Sequence, residues 1–155
     1  MNKLTINSPA PDFELPATND KKIKLSDLKG QNVVLYFYPK DNTPGCTLEG
    51  QSFRDHYQKF TELNTVILGI SRDDLKLHCK FKKEQNFPFE LLADCNETVC
   101  ELYDVLKDKN MFGKKVRGIE RSTFLIDDKG LLRTEWRKVK VEDHTEAVLQ
   151  AIKAL

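Results

Sequence analysis

The sequence has no long apolar run and no large excess of charge of one sign. None of its segments approaches the ~20 consecutive apolar residues that a membrane-spanning helix needs. Lysine and arginine number 25 and aspartate and glutamate 24, so the formal net charge is +1. Such a balance supplies no general attraction for nucleic acid or for an anionic membrane. We therefore expect neither nucleic acid nor a membrane as a partner.

The first residues and the cysteine content favour a reducing compartment. Residues 1–6 contain no apolar core long enough for a secretory signal. We therefore expect a cytoplasmic protein, in which thiols are normally kept reduced. The four cysteines, Cys46, Cys79, Cys95 and Cys100, are then more often reactive, metal-binding or simply buried than joined in structural disulfides.

The chain also lacks internal repeats, low-complexity tracts and linker-like stretches. At 155 residues it has the usual length of one domain and is long enough to bury a sizeable core. We predict a single domain over residues 1–155.

Two apolar runs predict central strands. Residues 33–38 form a continuous run before Pro39, and their β-branched and aromatic content favours a strand buried on both faces. Residues 65–70 form a second run of this kind. A helix predicted for residues 44–63 connects the two runs. The two strands are therefore expected to be parallel, with a right-handed crossover.

Further elements are predicted on either side of this unit. A hairpin turns at Asn19-Asp20, and a short helical turn closed by Gly30 follows it. Ser71, with Asp74 as its acidic partner, is expected to cap a helix, and Asn96 to cap the next one. The remaining elements are a short strand at 91–92, a hairpin at 123–136 and a closing helix at 142–152. This order favours an α/β, thioredoxin-like fold with a central mixed sheet flanked by helices and an N-terminal hairpin extension.

The loop between the first buried strand and its helix carries most of the chemical information. Thr43 is a favoured N-cap residue, and Pro44 then takes the first helical position, where proline is tolerated. Cys46 takes the third position, among backbone N–H groups without helical partners and at the positive end of the helix dipole. A thiolate, the nucleophilic form, is favoured there. The alternative is a buried cysteine that packs as a small apolar residue.

This loop resembles the active-site segment of the peroxiredoxins. Residues 36–41, Tyr-Phe-Tyr-Pro-Lys-Asp, precede Thr-Pro-Gly-Cys-Thr at 43–47, and Pro39, Thr43 and Cys46 match the family pattern Pro-x-x-x-Thr-x-x-Cys. The resemblance is greatest to the branch of bacterioferritin comigratory protein and peroxiredoxin Q. It covers nearly the whole chain, since further matches in order and spacing lie at residues 10–15, 69–71 and 121–127.

The resemblance implies a thiol peroxidase with an antioxidant role. Cys46 would attack the terminal oxygen of a hydroperoxide and become a sulfenic acid. Thr43 would hydrogen-bond the peroxide, Pro39 would shield the sulfur from water, and Arg121 would stabilise the thiolate and the leaving oxygen. The alternative for Arg121 is a solvated surface charge. Glu49, one turn beyond Cys46, either orients an arginine or is an ordinary first-turn acid.

The resemblance also implies the substrates and partners. Hydrogen peroxide and organic hydroperoxides would be reduced without a metal, haem or flavin cofactor. Thioredoxin is the expected reductant, with glutaredoxin or glutathione as the alternative, and the expected oligomeric state is a monomer.

The cysteine that would resolve the sulfenic acid is not at the position usual in many relatives. Five residues after Cys46 stands Gln51, which excludes the short-range disulfide. Cys79 is the candidate, since it lies on the next predicted helix and points away from the expected core residues Leu77 and Phe81. The alternatives are Cys95 in a loop, Cys100 in the core, or a one-cysteine cycle with an external thiol.

A two-cysteine cycle requires the first turn of the Cys46 helix to unwind. Gly50, which costs a helix about 0.5–1 kcal/mol relative to alanine, is expected to ease that opening.

Other functions fit the sequence less well. Cys46 is followed by Thr-Leu-Glu, so there is no Cys-x-x-Cys pair for disulfide exchange, and Ser52 replaces the arginine that a cysteine phosphatase needs. A metal site built from Cys79, Cys95 and Cys100 with His78 or His56 lacks the spacing of a ligand pair. All three histidines are expected at or near the surface. A redox-controlled holdase is a further alternative that the composition does not favour.

Overall fold

The elements of the fold follow the predicted order with several differences in their ends. The structure is a computed structural model that describes residues 4–155, except for the side chains of Lys109 and Met111. Residues 1–3 lie outside the described residues, and so does that part of residues 1–6, for which the sequence predicts no secretory signal. The strands are β1 Glu14–Ala17, β2 Lys21–Lys24, β3 Asn32–Phe37, β4 Thr65–Ser71, β5 Glu90–Ala93, β6 Leu106–Met111, β7 Lys114–Ile119, β8 Ser122–Ile126 and β9 Leu132–Trp136. The helices are α1 Pro44–Asp55, α2 Tyr57–Glu62, α3 Leu75–Gln85, α4 Thr98–Leu102 and α5 His144–Lys153, and Leu25–Leu28 form a short 3₁₀ turn. No described helix is long and apolar enough to cross a membrane.

A mixed sheet of seven strands organises the molecule, in the order β2-β1-β5-β4-β3-β8-β9. Strands β3, β4 and β5 are parallel, and β8 runs antiparallel to β3. The predicted strand–helix–strand unit with parallel strands is therefore confirmed. The hairpin β1–β2 extends one edge of the sheet, so the predicted mixed α/β sheet with an N-terminal hairpin is confirmed as well.

The sheet buries apolar side chains on both faces. Alternate residues of β3 enter two different apolar clusters, as the two-residue repeat of a strand requires. Tyr36 and Tyr38 lie on the same face as Cys46 and Phe53 of α1. Helix α1 therefore packs with its N-terminus against the carboxyl end of β3.

The single helix predicted over residues 44–63 is in fact two helices that meet at His56. The ring Nδ1 of His56 donates to the Ser52 carbonyl at 2.8 Å, so the side chain takes an acceptor at the end of α1. The chain then restarts as α2, and Phe60 still packs against the same apolar cluster. The apolar spacing that predicts one helix therefore survives the break.

The predicted caps of α3 and α4 are wrong by a few residues. Ser71 is the last residue of β4, and the carboxylate of Asp74 caps α3 by accepting from the Leu77 N–H at 2.9 Å. Helix α4 has Glu97 rather than Asn96 at its N-cap position, and the Asp94 carboxylate accepts from the N–H groups at positions 99 and 100. In both helices an aspartate carboxylate supplies the hydrogen bonds that a different residue is predicted to make.

The hairpin β6–β7 has no counterpart among the predicted elements. Phe112 and Gly113 form its turn with φ values of 52° and 80°, a left-handed pair that hairpins more often build from Asn-Gly. Most of the described side chains of β7 are exposed, and the Phe112 side chain is 99% exposed. The hairpin lacks the alternation of apolar and polar residues that makes a strand recognisable in a sequence.

Candidate active site

Cys46 occupies the predicted position at the start of α1. Thr43 has the extended backbone of an N-cap residue, and Pro44 is the first helical residue. The Cys46 side chain is 1% exposed and lies in the apolar cluster beneath the helix. A sulfur at this point faces the unpaired N–H groups of the first turn in surroundings largely free of water.

Arg121 brings a positive charge to this sulfur. Its Nη2 donates to the Cys46 Sγ at 3.5 Å, and its Nη1 donates to Glu49 Oε1 at 2.7 Å. Strand register explains the contact, because Ser122 pairs with Phe37 at the end of β3 and Arg121 directly precedes it. The Arg121 side chain is 17% exposed, so the alternative of a solvated surface charge is wrong. Glu49 orients the guanidinium and is not an ordinary first-turn acid.

Gly45 makes this close approach possible. A Cβ at this position would lie 3.0 Å from Arg121 Nη2, closer than side chains normally pack. The close packing of Arg121 against Gly45 is not predicted from the sequence. The motif Pro-Gly-Cys contains the glycine, but the reason for it appears only once Arg121, distant in the chain, is in place.

Burial and charge act against each other at Glu49 and Arg121. Burial raises the pKa of Glu49 to about 7, although the positive charge of Arg121 opposes this shift. Burial lowers the pKa of Arg121, but the charges of Glu49 and Cys46 outweigh it and raise that pKa above its ordinary value. The guanidinium therefore stays positively charged beside the sulfur.

Thr43 and Pro39 lie in the same loop but do not both face the sulfur as expected. The Thr43 hydroxyl donates to the Lys40 carbonyl at 2.8 Å, so its proton is directed into the loop. Pro39 is half-buried directly after Tyr38. The structure thus brings Cys46, Arg121 and Glu49 into contact, whereas the predicted orientation of Thr43 toward sulfur or peroxide is not observed.

A buried network ties the loop to α3. The ring nitrogens of His78 lie 2.7 Å from Asp41 Oδ2 and 2.9 Å from the Leu92 carbonyl oxygen. The Tyr38 hydroxyl donates to Asp41 Oδ1 at 2.6 Å. Asp73 accepts from the Asp41 N–H at 2.8 Å. The loop that carries Pro39 and Thr43 is therefore anchored at its centre.

Two of the three histidine predictions are wrong. His78 and His144 are buried, and only His56 lies near the surface as expected. Leu77, expected in the core, is 42% exposed, because α3 turns His78 and Phe81 inward instead. His78 is three residues before Phe81, a spacing that places both on one helix face and would have indicated its burial.

Cys79 opens onto a cavity beside α3. All four cysteines are free, with Cys79 and Cys95 exposed and Cys100 buried, as predicted. The cavity has a volume of about 540 Å³ and includes Lys82, Lys83 and Phe87 in its lining. Phe87 also packs against Gly50 of α1, where an added Cβ would lie 2.3 Å from the ring. The Phe87 ring thus contacts the Cys46 helix on one side and the Cys79 cavity on the other.

Known proteins resemble the chain along nearly its whole length. The profile of the AhpC/TSA family matches residues 6–135. The chain belongs to the AhpC/TSA family. Peroxiredoxin Bcp of Bacillus subtilis is 53% identical over 150 residues, which cover 97% of this chain and 96% of that protein.

Solved structures agree with this assignment. PrxQ of Xylella fastidiosa is similar with a TM-score of 0.92 and 40% identity, covering 99% of this chain and 98% of that one. Bacterioferritin comigratory protein of Xanthomonas campestris gives a TM-score of 0.91 and 44% identity, covering 98% of each chain. The work on that protein concerns its alkyl peroxide reduction activity and a trapped intermediate/ligand complex.

These relatives confirm both the fold and the activity expected from the sequence. The chain has the thioredoxin fold of the peroxiredoxins and is a peroxiredoxin of the Bcp/peroxiredoxin Q branch. Peroxiredoxins are thiol-dependent peroxidases with an antioxidant role, so the protein is an oxidoreductase that acts on peroxides with thiol reductants.

Proposed function

We propose that Cys46 is the peroxidatic residue and that this peroxiredoxin reduces hydrogen peroxide and organic hydroperoxides. The observation that carries the proposal is the contact of 3.5 Å between Arg121 Nη2 and the Cys46 sulfur at the N-terminus of α1. A buried sulfur beside a fixed positive charge is stabilised as the thiolate, which attacks the terminal peroxide oxygen. The alkyl peroxide reduction of the Xanthomonas relative supports the organic substrates.

The neighbouring residues have separate tasks in this step. Arg121 stabilises the thiolate and then the charge on the leaving oxygen. Pro39 covers the sulfur from the loop. Thr43 binds the peroxide after its hydroxyl rotates away from the Lys40 carbonyl, which accepts its hydrogen bond in the structure. These tasks need no metal and no organic cofactor.

Intact mass with peptide mapping tests the peroxidatic role. Fully reduced protein receives one equivalent of hydrogen peroxide, and Cys46 is expected to react before the other three cysteines. A Cys46→Ser variant is expected to consume no peroxide, while Cys95→Ser, at an exposed position, reacts as the unaltered protein does. The proposal fails if Cys46 alone remains unmodified.

We propose Cys79 as the resolving cysteine, since it is exposed and opens onto a cavity beside α3 whose lining residue Phe87 packs against Gly50 of α1. A loss of two hydrogens with Cys46 linked to Cys79 is expected in the same mass measurement. Oxygen added to Cys46 with Cys79 still free would instead establish a one-cysteine cycle and an external thiol.

We propose a monomer of one domain over residues 1–155 that acts in the cytoplasm with thioredoxin as its reductant. The cytoplasm is a reducing compartment, and this supports the proposed location because Cys46 must be returned to its thiol after each cycle. Peroxide turnover with purified thioredoxin and its reductase is expected to exceed turnover with glutathione or glutaredoxin. Faster turnover with glutathione would overturn the choice of reductant while leaving the peroxidatic role unaffected.

A further inference from the structure

The two carboxyl oxygens of Glu49 have unequal surroundings. Oε1 accepts a hydrogen bond from Arg121 at 2.7 Å, while Oε2 is buried without a hydrogen-bond partner in the part of the chain that the structure describes. The Glu49 side chain as a whole is 1% exposed. A negative charge on a buried oxygen without a donor is costly, and a proton on that oxygen removes the charge. The surroundings of Oε2 therefore favour its protonation.

One guanidinium faces two acidic groups. Arg121 binds Glu49 through Nη1 and the Cys46 sulfur through Nη2, so a single positive charge serves two potential negative charges. The other ionisable groups here are the buried Tyr36 hydroxyl of β3, which interacts with Glu49 and Cys46, and His144 of α5, which interacts with the charge of Arg121. Two ionisations that share one counter-ion are coupled, so each disfavours the other.

We propose that Glu49 is protonated while Cys46 is a thiolate, and that it releases this proton as the sulfur is oxidised. The negative charge then passes from Cys46 to Glu49, and Arg121 keeps one anionic partner throughout. This inference rests on the proposed peroxidatic role of Cys46. Glu49 acts through Arg121 and is a positioning residue that also stores a proton.

The step balances in atoms and charge. The Cys46 thiolate attacks the terminal oxygen of ROOH, an S–O bond forms, the O–O bond breaks, and the sulfur is oxidised as the peroxide is reduced. The sulfur retains the OH group as a sulfenic acid, and the leaving RO⁻ takes up one proton to become ROH. Glu49 releases one proton in the same step. The summed charge of Cys46, Glu49 and the peroxide is −1 before and after the step, and the solvent supplies no net proton.

The electrostatics agree with this order of events. Burial raises the pKa of Glu49 to about 7 against the opposing charge of Arg121, so the protonated form is present at pH 6. Oxidation removes the thiolate that competes for Arg121. The pair of charged Glu49 and Arg121 is then favoured, and the proton leaves.

Proton uptake during oxidation tests the proposal. Fully reduced protein in weak buffer at pH 6, with a pH-indicator dye, receives one equivalent of hydrogen peroxide, and mass spectrometry counts the oxidised Cys46 in parallel. We expect the unaltered protein to take up far less than one proton per oxidised Cys46, and Glu49→Gln to take up close to one. Glu49→Asp is expected to restore the low value. Glu146→Gln, at an exposed acid in the first turn of α5, matches the unaltered protein.

Infrared difference spectroscopy of the unaltered protein is a second readout, and it does not depend on whether a variant folds. Oxidation of the unaltered protein is expected to remove the C=O stretching band of one protonated carboxylic acid, and Glu49→Gln to lack this change. Equal proton uptake in both proteins, with Cys46 oxidised in both, overturns the role of Glu49 and leaves the peroxidatic role intact. If Cys46 is not oxidised at all, the proposed function itself is overturned.

Discussion

Among single residues, Gly45 affects the site because it has no side chain. The missing side chain gives Arg121 Nη2 room beside the sulfur, and the same position lies inside α1, where glycine is less favourable than alanine. Stability and catalysis therefore make opposite demands on this residue.

Gly45→Ala is expected to separate these two demands. The methyl group displaces the guanidinium from the sulfur, and the rate of reaction with peroxide falls by about ten- to a hundredfold. The free energy of unfolding stays the same or rises by up to about 1 kcal/mol, because alanine favours the helix. Stopped-flow kinetics and denaturant unfolding measure the two quantities. Leu48→Ala, at an exposed position of the same turn, serves as the control, and an unchanged rate in Gly45→Ala would show that Arg121 tolerates the methyl group.

His144 is expected to make the protein less stable in acid. Burial lowers the pKa of His144 to about 4 from 6.5, so the unfolded chain binds a proton in this range that the folded chain does not bind. The stabilisation is complete above pH 6.5 and is lost as the pH falls through 4, on the order of 3 kcal/mol. Unfolding measured across this range should show that His144→Gln loses this dependence.

Glu49 is expected to act in the opposite sense. Its pKa is raised from 4.5 to about 7, so the folded chain holds a proton that the unfolded chain releases. The contribution of Glu49 to stability is complete below pH 4.5 and is lost as the pH rises toward 7. The difference in unfolding free energy between the unaltered protein and Glu49→Gln should therefore decrease with rising pH, and a flat difference would contradict the raised pKa.

Among the helices, α1 packs against Phe87, just after α3, and the loop that precedes α1 contacts α3 through Asp41 and His78. The sequence suggests that Gly50 eases the unwinding of α1, but the structure shows that Gly50 also has a packing role. Its missing side chain accommodates the Phe87 ring, which an alanine would approach to 2.3 Å. A lower rate of disulfide formation in Gly50→Ala is therefore no measure of helix flexibility by itself.

Gly50→Ala is expected to lower the free energy of unfolding by about 1–3 kcal/mol, because the added methyl group overpacks the core. Phe87→Leu in the same chain relieves the contact and is expected to restore part of this loss. Denaturant titrations of the two single variants and the double variant measure the coupling. Strictly additive effects would show that Gly50 and Phe87 do not act on each other.

The contact between Asp41 and His78 is expected to hold the loop in place. His78→Phe leaves Oδ2 of the buried Asp41 without its hydrogen-bond partner, while Oδ1 keeps the Tyr38 hydroxyl, and a loss of about 2–4 kcal/mol in unfolding free energy follows, with a slower reaction at Cys46. His56→Phe removes one hydrogen bond at a half-buried position and is expected to cost about 1 kcal/mol. Equal losses of unfolding free energy in the two variants would mean that the buried contact of Asp41 with His78 stabilises the fold no more than one half-buried hydrogen bond does.

At the scale of the whole molecule, the sequence predicts what is local and misses what is distant. The central strands and the position of Cys46 follow from neighbouring residues, since apolar runs and helix caps are local signals. The pairing of Arg121 with Glu49 joins residues 72 positions apart, and nothing near either of them specifies it without the family resemblance. The hairpin β6–β7 was missed because its strands have little apolar alternation to detect.

The chain's single tryptophan lies at the end of a line of contacts that starts at α1. Ser52 of α1 hydrogen-bonds Thr145 of α5 at 2.6 Å, and the neighbouring His144 ring packs edge-on against Trp136 at 5.6 Å between centroids. If the unwinding that starts in the first turn of α1 extends to Ser52, it breaks this hydrogen bond and loosens this end of α5. The protein therefore carries its own optical probe. Its intrinsic emission should change when peroxide oxidises Cys46 and α1 unwinds, and a Ser52→Ala variant should weaken the signal without slowing peroxide consumption.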